Sequence, residues 1–270
     1  MIALHRLFAP TLHGSIVSVA LAVLACGREG APLRPDLCEL TAEPPCHEPL
    51  GLMPFNDQPW DRVAEHDWSY LRRTASKDSD IVVDATAPVS SPQALRMIFT
   101  TDMARDTEPG VHWIRLPSVK EVYAGWSVKW SRNWACSPAG CGKIAFFHTD
   151  AERSAYINYG DFGRTSNPHT ISINTQWAPY GQRVWPANRA LTTITPGTWY
   201  RIEWYIKYAS HASEADGVMR WWVNGVLNGA YDDVRFPSGG FVQFEFAPTL
   251  QNPPPAEQYM YIDHTVLSIR

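Results

Sequence analysis

Residues Thr198–Tyr208, TWYRIEWYIKY, alternate strictly between two kinds of side chain. Every even-numbered position from Tyr200 onward is aromatic or aliphatic, whereas the odd-numbered positions include an arginine, a glutamate and a lysine. A repeat of two residues is typical of a β-strand, whose successive side chains point to opposite faces, and a helix would mix the two sets. The stretch therefore predicts a strand with one buried face and one polar, aromatic face.

The next stretch, Gly217–Asn224 (GVMRWWVN), predicts a second strand that enters a tight turn. Its alternation places Trp221 in the core and Trp222 on the wetter face, where an indole is free to stack on a ligand. The pair Asn224-Gly225 is typical of a type I′ turn because both residues tolerate a positive φ. The strands of the predicted hairpin are Val218–Val223 and Val226–Tyr231.

The same alternation recurs along the chain, and proline and glycine punctuate the gaps between the strands. No helical stretch intervenes, so the sequence predicts an all-β, jelly-roll β-sandwich of two antiparallel sheets. The further predicted strands are Val122–Ser131, Lys143–His148, Ala155–Tyr159, Thr170–Gln176, Phe241–Phe246 and Tyr259–Ile269.

The N-terminal region predicts export. The apolar run Ile16–Ala25 is too short for a membrane span of about 20 residues and suits a signal peptide over residues 1–25. The run ends in Val23-Leu24-Ala25-Cys26, which resembles the lipobox of bacterial lipoproteins and implies lipidation of Cys26; the alternative is ordinary secretion without that modification. Residues 26–50 are predicted to be a proline-rich linker, and residues 51–270 the folded domain. The expected location is the periplasm or the cell surface, with the membrane contacted only through the lipid.

Charge and cysteine content narrow the functional classes. A formal net charge of −4 over 270 residues offers no basic field for nucleic acid. Apart from Cys26, four cysteines form two close pairs, Cys38 with Cys46 and Cys136 with Cys141, as expected of disulfides in an oxidising compartment. The alternative is a zinc site, but neither spacing is that of a common zinc ribbon.

Four stretches give the sequence a family resemblance from about Asp84 to the C-terminus. They are Ala87–Pro92, Val119–Tyr123 with Lys129–Trp134, Trp199–Trp204 with Gly217–Leu227, and Ile262–His264. With these stretches the chain resembles bacterial secreted proteins of the concanavalin A-like lectin/glucanase superfamily, a mostly uncharacterised group termed polysaccharide lyase-like. That resemblance implies a jelly-roll fold and a polysaccharide ligand.

The outward residues of the predicted strands combine cations, amides and rings, which suits a sugar polymer. Rings stack on pyranose faces, amides bind hydroxyls, and arginine pairs with carboxylates. The alternative is a solvated sheet face with cross-strand ion pairs. The candidate ligand-binding residues are Lys143, Tyr156, Asn158, Asn174, Gln176, Arg201, Glu203, Tyr205, Arg220, Trp222, Asn224 and Gln243.

The expected function is polysaccharide binding by a monomer, with two alternatives. One is a lyase that cleaves a uronate-containing polymer by β-elimination, for which the candidate catalytic residues are Tyr205, Lys207, Arg201 and His148. The motifs Q-I-H and Y-F-K-A-G of alginate lyases with this fold are absent, which leaves that assignment open. The other is a structural envelope protein without a sugar ligand. Glycoside hydrolysis is less favoured because no strand carries the paired carboxylates that it needs.

No cofactor or metal is expected from the sequence. Tyr231-Asp232-Asp233, after the predicted hairpin, could hold a structural calcium ion, but these residues are more typical of a solvated turn.

Overall fold

A computed structural model describes residues 46–61, 68–72, 78–90, 92–136, 142–151, 154–160, 169–176, 184–212, 214–237 and 239–270. Within these ranges the chain forms fifteen β-strands in two antiparallel sheets, and no helix. The predicted all-β sandwich is therefore confirmed. No described residue lies in a helix long and apolar enough to cross a membrane. The proposed signal peptide, Cys26, Cys38 and Cys141 lie outside the described residues.

The strands follow one another closely along the chain. Their bounds are β1 Met53–Gln58, β2 Ser69–Arg72, β3 Ser79–Val83, β4 Gln93–Phe99, β5 Gly110–Val119, β6 Glu121–Trp130, β7 Lys143–Thr149, β8 Ser154–Tyr159, β9 Ile171–Thr175, β10 Val184–Trp185, β11 Trp199–Lys207, β12 Gly217–Val223, β13 Val226–Val234, β14 Phe241–Phe246 and β15 Gln258–Ile269.

In both sheets, strands that are far apart in the sequence lie next to each other. The eight-stranded sheet has the order β13-β12-β11-β6-β15-β4-β3, with β1 also paired to β15. The seven-stranded sheet has the order β10-β9-β8-β7-β14-β5-β2. Sequence neighbours such as β5 and β6 therefore lie in different sheets.

The predicted hairpin forms as expected between β12 and β13. Asn224 and Gly225 both have positive φ, 48° and 77°, and Val223 pairs with Val226 across the turn. Trp221 faces the seven-stranded sheet in the main core, while Trp222 faces outward, as the alternation predicts.

Large aromatic side chains fill the space between the sheets. Trp204 of β11 lies 4.6 Å from Phe147 of β7, centroid to centroid, and Phe147 lies 4.9 Å from Phe244 of β14. Each of these rings is fully buried. Because the inner faces pack on each other, the outer faces of the two sheets point in opposite directions.

Two features differ from the sequence-based expectations. Cys46, Glu48 and Pro49, at the end of the predicted linker, are buried against the folded body, so the body begins before Gly51. Tyr231-Asp232-Asp233 lies within β13 and not in a turn, and Asp232 forms an ion pair with Arg220. The charge of Asp232 is therefore paired with that of Arg220, and its position needs no bound calcium ion to account for it.

Candidate functional site

The predicted site residues separate onto the outer faces of the two sheets. A strand's alternation tells inside from outside, but it does not tell which sheet the strand joins. These candidate residues therefore do not all share one surface. Arg201, Glu203, Tyr205, Lys207, Arg220, Trp222 and Asn224 lie on or beside the outer face of the eight-stranded sheet, whereas Lys143, His148, Tyr156, Asn158, Asn174, Gln176 and Gln243 lie on that of the seven-stranded sheet.

Residues 46–52, which we term the strap, cover the part of the outer face of the eight-stranded sheet around Glu203 and Trp222. Glu203, fully buried, accepts hydrogen bonds from the backbone N–H groups of Cys46 (2.9 Å) and His47 (2.7 Å) and from the hydroxyl of Tyr123 (2.7 Å). His47 Nδ1 lies 3.0 Å from its other oxygen. Burial alone would raise the pKa of Glu203, but the bonds from His47 and Tyr123 and the charge of Arg201 lower it below the ordinary value. Glu203 therefore holds the strap as a carboxylate.

A second buried carboxylate lies beside the strap. The Tyr205 hydroxyl donates to Glu121 Oε1 at 2.6 Å, and Arg270 donates to both oxygens of Glu121 at 2.6 and 2.8 Å. Burial, followed by the Glu121 contact, raises the pKa of Tyr205 well above its ordinary value. Tyr205 is thus a structural hydrogen-bond donor whose hydroxyl is already engaged.

The remaining predicted residues of this face also have structural partners or lie at its edge. Arg220 Nη2 lies 2.9 Å from Asp232 Oδ1, and Asn224 Oδ1 accepts the backbone N–H of Arg201 at 2.8 Å, which joins the hairpin turn to β11. Lys207 lines a pocket of about 400 Å³ at one end of the sandwich.

One group of residues of metal-ligating types lies where the strap contacts β11. Ligand atoms of Cys46, His47 and Glu203 lie within 4.8 Å of one another. However, the Cys46 sulfur is in a disulfide, and the Glu203 oxygens accept hydrogen bonds from N–H and O–H donors. These residues therefore do not fit a metal ion.

Cys46 and Cys136 are each disulfide-bonded. Their partners lie outside the described residues, so the pairings with Cys38 and Cys141 remain predictions.

The outer face of the seven-stranded sheet is different, because it holds a lysine among aromatic rings. Lys143 Nζ lies 4.9 Å from the ring centroid of Tyr156 and 5.6 Å from that of Phe146. Lys143 pairs in register with Asn158, which pairs with Ser172. Lys143 forms no ion pair with any residue in the described ranges.

Burial changes the proton affinity of both groups. It lowers the pKa of Lys143 from 10.5, although the charges of Asp106 and Glu108 oppose this, and it raises the pKa of Tyr156 to about 12. Desolvation disfavours the charged form in each case. Burial thus shifts Lys143 toward the neutral amine and Tyr156 toward the protonated phenol, the forms that a general base and a general acid require.

Polar atoms beside Lys143 are buried and have no hydrogen-bond partner among the described residues. Asn158 is 4% exposed and Ser172 is 3% exposed, yet Asn158 Nδ2 and Ser172 Oγ form no hydrogen bond within the described part of the chain. An unsatisfied buried polar atom costs about 1–3 kcal/mol, so a ligand that supplies acceptors for these donors would be favoured. Asn174, in register with Tyr156, completes the polar border of the ring cluster.

A polar chain borders the other side of the rings. His148 Nε2 lies 2.8 Å from Glu245 Oε1, in an orientation unsuited to a hydrogen bond, and Gln243 Nε2 donates to Glu245 Oε2 at 2.6 Å. The imidazole of His148 stacks on Phe146 with a centroid distance of 5.7 Å. Gln176 is exposed at the sheet edge and accepts a hydrogen bond from Ser154.

Sequence reasoning missed Phe146, Trp113 and Arg115 as members of this face. Phe146 contacts Lys143, Tyr156 and His148 through its ring. The period-two pattern of Val111–Arg115 (VHWIR) contains the signal for Trp113 and Arg115, since both alternate with the inward-facing Ile114.

Fold and site together define a jelly-roll β-sandwich with a lysine-, tyrosine- and amide-lined outer face. No protein-family model matches the chain, and no curated protein matches it either.

Solved structures do match. A mutant of the alginate lyase Aly36B, in complex with alginate trisaccharide, has a TM-score of 0.51 and 16% identity over 66% of this chain and 82% of that one. The cellulose-induced protein Cip1 has a TM-score of 0.55 and 10% identity over 79% and 96%. A carbohydrate esterase of the Shiga toxin-encoding bacteriophage phi24B has a TM-score of 0.50 and 11% identity over 82% and 100%. At these identities the likeness shows the fold, and it confirms the predicted concanavalin A-like, polysaccharide lyase-like resemblance at that level.

Proposed function

We propose that this protein is a polysaccharide lyase that cleaves a uronate-containing polymer on the outer face of the seven-stranded sheet. The observation that carries the proposal is the placement of a desolvated lysine, Lys143, against a protonated phenol, Tyr156. The alginate trisaccharide bound to a lyase of the same fold supports a sugar ligand for such a sandwich. This function replaces binding alone as the preferred interpretation.

The site contains the groups that β-elimination needs. Neutral Lys143 Nζ removes the C5 proton of the uronate, and that electron pair forms the C4–C5 double bond as the C4–O4 bond breaks. The Tyr156 hydroxyl donates its proton to the leaving O4. The products are an unsaturated uronate at one new chain end and a free hydroxyl at the other, and a proton passes from the lysine ammonium to the phenolate to restore the site.

Asn158 and Ser172 stabilise the negative charge that develops on the substrate carboxylate during the reaction. Asn158 Nδ2 lies on β8, next to the strand of Lys143, and Ser172 Oγ lies one strand further away on β9; both can donate to the substrate carboxylate. As C5 loses its proton, charge moves onto that carboxylate, so donors fixed in a buried site favour the transition state.

Ultraviolet absorbance of the unsaturated product tests the function. The full-length protein is incubated with alginate, glucuronan and glycosaminoglycans. We expect absorbance to rise with one acidic polymer, and Lys143→Ala and Tyr156→Phe to abolish the rise. The matched controls are Lys129→Ala, since Lys129 also lies over two rings but on the opposite sheet, and Tyr261→Phe. Binding of a polymer without any absorbance change would instead favour the polysaccharide-binding alternative.

The cellular setting belongs to the same proposal. The protein is exported, its Cys26 carries the lipid, and Cys38–Cys46 and Cys136–Cys141 are disulfides. Mass analysis of the mature protein from a bacterial host tests all three statements. A chain that begins at another residue would contradict the anchor, and free thiols at these positions would contradict the disulfides.

A further inference from the structure

An aromatic ring and a guanidinium lie together on β5, away from Lys143 but on the same outer face. Trp113 is partly exposed, and the Arg115 guanidinium lies 5.0 Å from its ring centroid. Arg115 is exposed and forms no ion pair with any residue in the described part of the chain. The neighbouring carboxylate, Glu245, is occupied by His148 and Gln243.

The strand register joins this pair to the proposed catalytic residues. Trp113 pairs with Glu245, Glu245 with Phe146, and Phe146 with Tyr156, so all four side chains lie in one row across β5, β14, β7 and β8. Trp113 also packs against the apolar cluster that contains Phe146 and Tyr156. Three inter-strand steps separate Trp113 from Tyr156, or about 14 Å. Trp113 is thus too far to touch the reacting sugar but lies on a continuous surface with it.

The edge beyond Trp113 carries an exposed apolar side chain. Leu71 of β2 is 44% exposed and lies opposite Val111, on the same face as Trp113. Exposed apolar surface next to an exposed cation suits a ligand with an apolar face and a negative group. A pyranose ring that bears a carboxylate has both.

We infer that Trp113 and Arg115 form a distal subsite for an acidic sugar residue of the same polymer chain. The inference rests on the proposed function for the position of the reacting sugar. Trp113 stacks on the pyranose ring, Arg115 pairs with its carboxylate, and the polymer crosses the strands along the row from Trp113 to Tyr156.

Affinity measured against ligand length tests the subsite without relying on cleavage. Oligouronates prepared from alginate and from glucuronan, as trimers and hexamers, are titrated calorimetrically into full-length protein that carries Tyr156→Phe to prevent turnover. Trp113→Ala should weaken hexamer binding roughly tenfold and leave trimer binding unchanged, because only the longer chain spans both places. Arg115→Gln should weaken hexamer binding about fivefold and reduce its dependence on salt.

Two controls separate ligand contact from folding. Trp113→Phe keeps a ring and should retain most of the affinity, whereas Trp199→Ala removes a partly buried tryptophan from the opposite sheet and should leave affinity unchanged. Arg115 is exposed, so its variant reports on the subsite even if Trp113→Ala fails to fold.

The outcomes distinguish the two proposals. Equal losses for trimer and hexamer, or no loss for either, would overturn the subsite while leaving the lyase proposal intact. Hexamer-selective losses without cleavage of any polyuronate by the wild-type protein would support the subsite and overturn the lyase activity. Failure of both the trimers and the hexamers to bind the protein would overturn the subsite, and the absorbance assay with all three polymers would then decide the lyase activity separately.

Discussion

The imidazole of His47 lies flat on the indole of Trp222, with ring centroids 4.8 Å apart and planes inclined by 5°. The contact joins the strap to the outer face of β12 and leaves Trp222 only 2% exposed. A ring that the sequence places on the wetter face is therefore part of a second, smaller core, in which Leu52, Tyr123, Tyr205 and Val266 also pack.

Trp222→Ala should destabilise the protein by roughly 3–5 kcal/mol, as a large-to-small core substitution does, and Trp221→Ala should cost a similar amount. The expectation from sequence, that Trp222 lies on the wetter face and is free to stack on a ligand, is thus revised. Urea unfolding measures both, with Trp199→Ala as a less buried control. If the Trp222→Ala protein were stable but bound polysaccharide more weakly, Trp222 would instead be a ligand-binding residue.

Glu203 should make the stability of the folded protein depend on pH. Its pKa is lowered by folding, so it stabilises the native state above the ordinary carboxyl value of about 4.3, and that contribution is lost as pH falls through the folded-state pKa. Glu203→Gln should cost about 1.5–3 kcal/mol at neutral pH and less at pH 3. Denaturant unfolding at both pH values tests this, with the exposed Glu214→Gln as the control. An equal cost at both pH values would show that the charge is not what holds the strap.

The pH dependence of cleavage should follow Lys143. Because the base acts as the neutral amine, kcat/KM should rise with pH, with an inflection below the ordinary lysine value of 10.5. Lys143→Arg should be inactive at every pH, since a guanidinium does not deprotonate. Tyr156→Phe should lower kcat by about 10²–10⁴-fold. A rate that follows the same pH profile after Lys143→Ala would assign the base elsewhere.

Gly229 is required by the ring that packs on it. A Cβ atom at this position would lie 2.1 Å from the Trp221 ring, closer than side chains approach. Gly229→Ala should therefore destabilise the protein by about 1–3 kcal/mol. Adding Trp221→Leu should reduce that penalty, because it removes the clash, so a double-mutant cycle by urea unfolding would measure non-additive effects. Strictly additive costs would contradict the packing.

The sequence determined the strands and their faces. Alternation from Thr198 to Tyr208 and from Gly217 to Asn224 set which residues point inward, and the Asn224-Gly225 turn set the hairpin, because each of these features depends only on nearby residues. The six strands β1 to β5 and β10 were not predicted. Four of the six residues of β1 are polar or proline, and β2 and β10 have only four and two residues. The period-two pattern in β5 was overlooked.

Only the tertiary structure decided which outward residues meet. Whether Lys143 and Arg201 share a face depends on strand order, and that order is set by pairings between residues far apart in the chain, such as β14 with both β5 and β7. The same holds for the strap, because Glu203 accepts the N–H of a residue 157 positions earlier. Local periodicity shows which side chains of a strand point into the core and which point outward. Long-range strand pairing and burial decide whether an outward side chain lies under the strap or on an open surface.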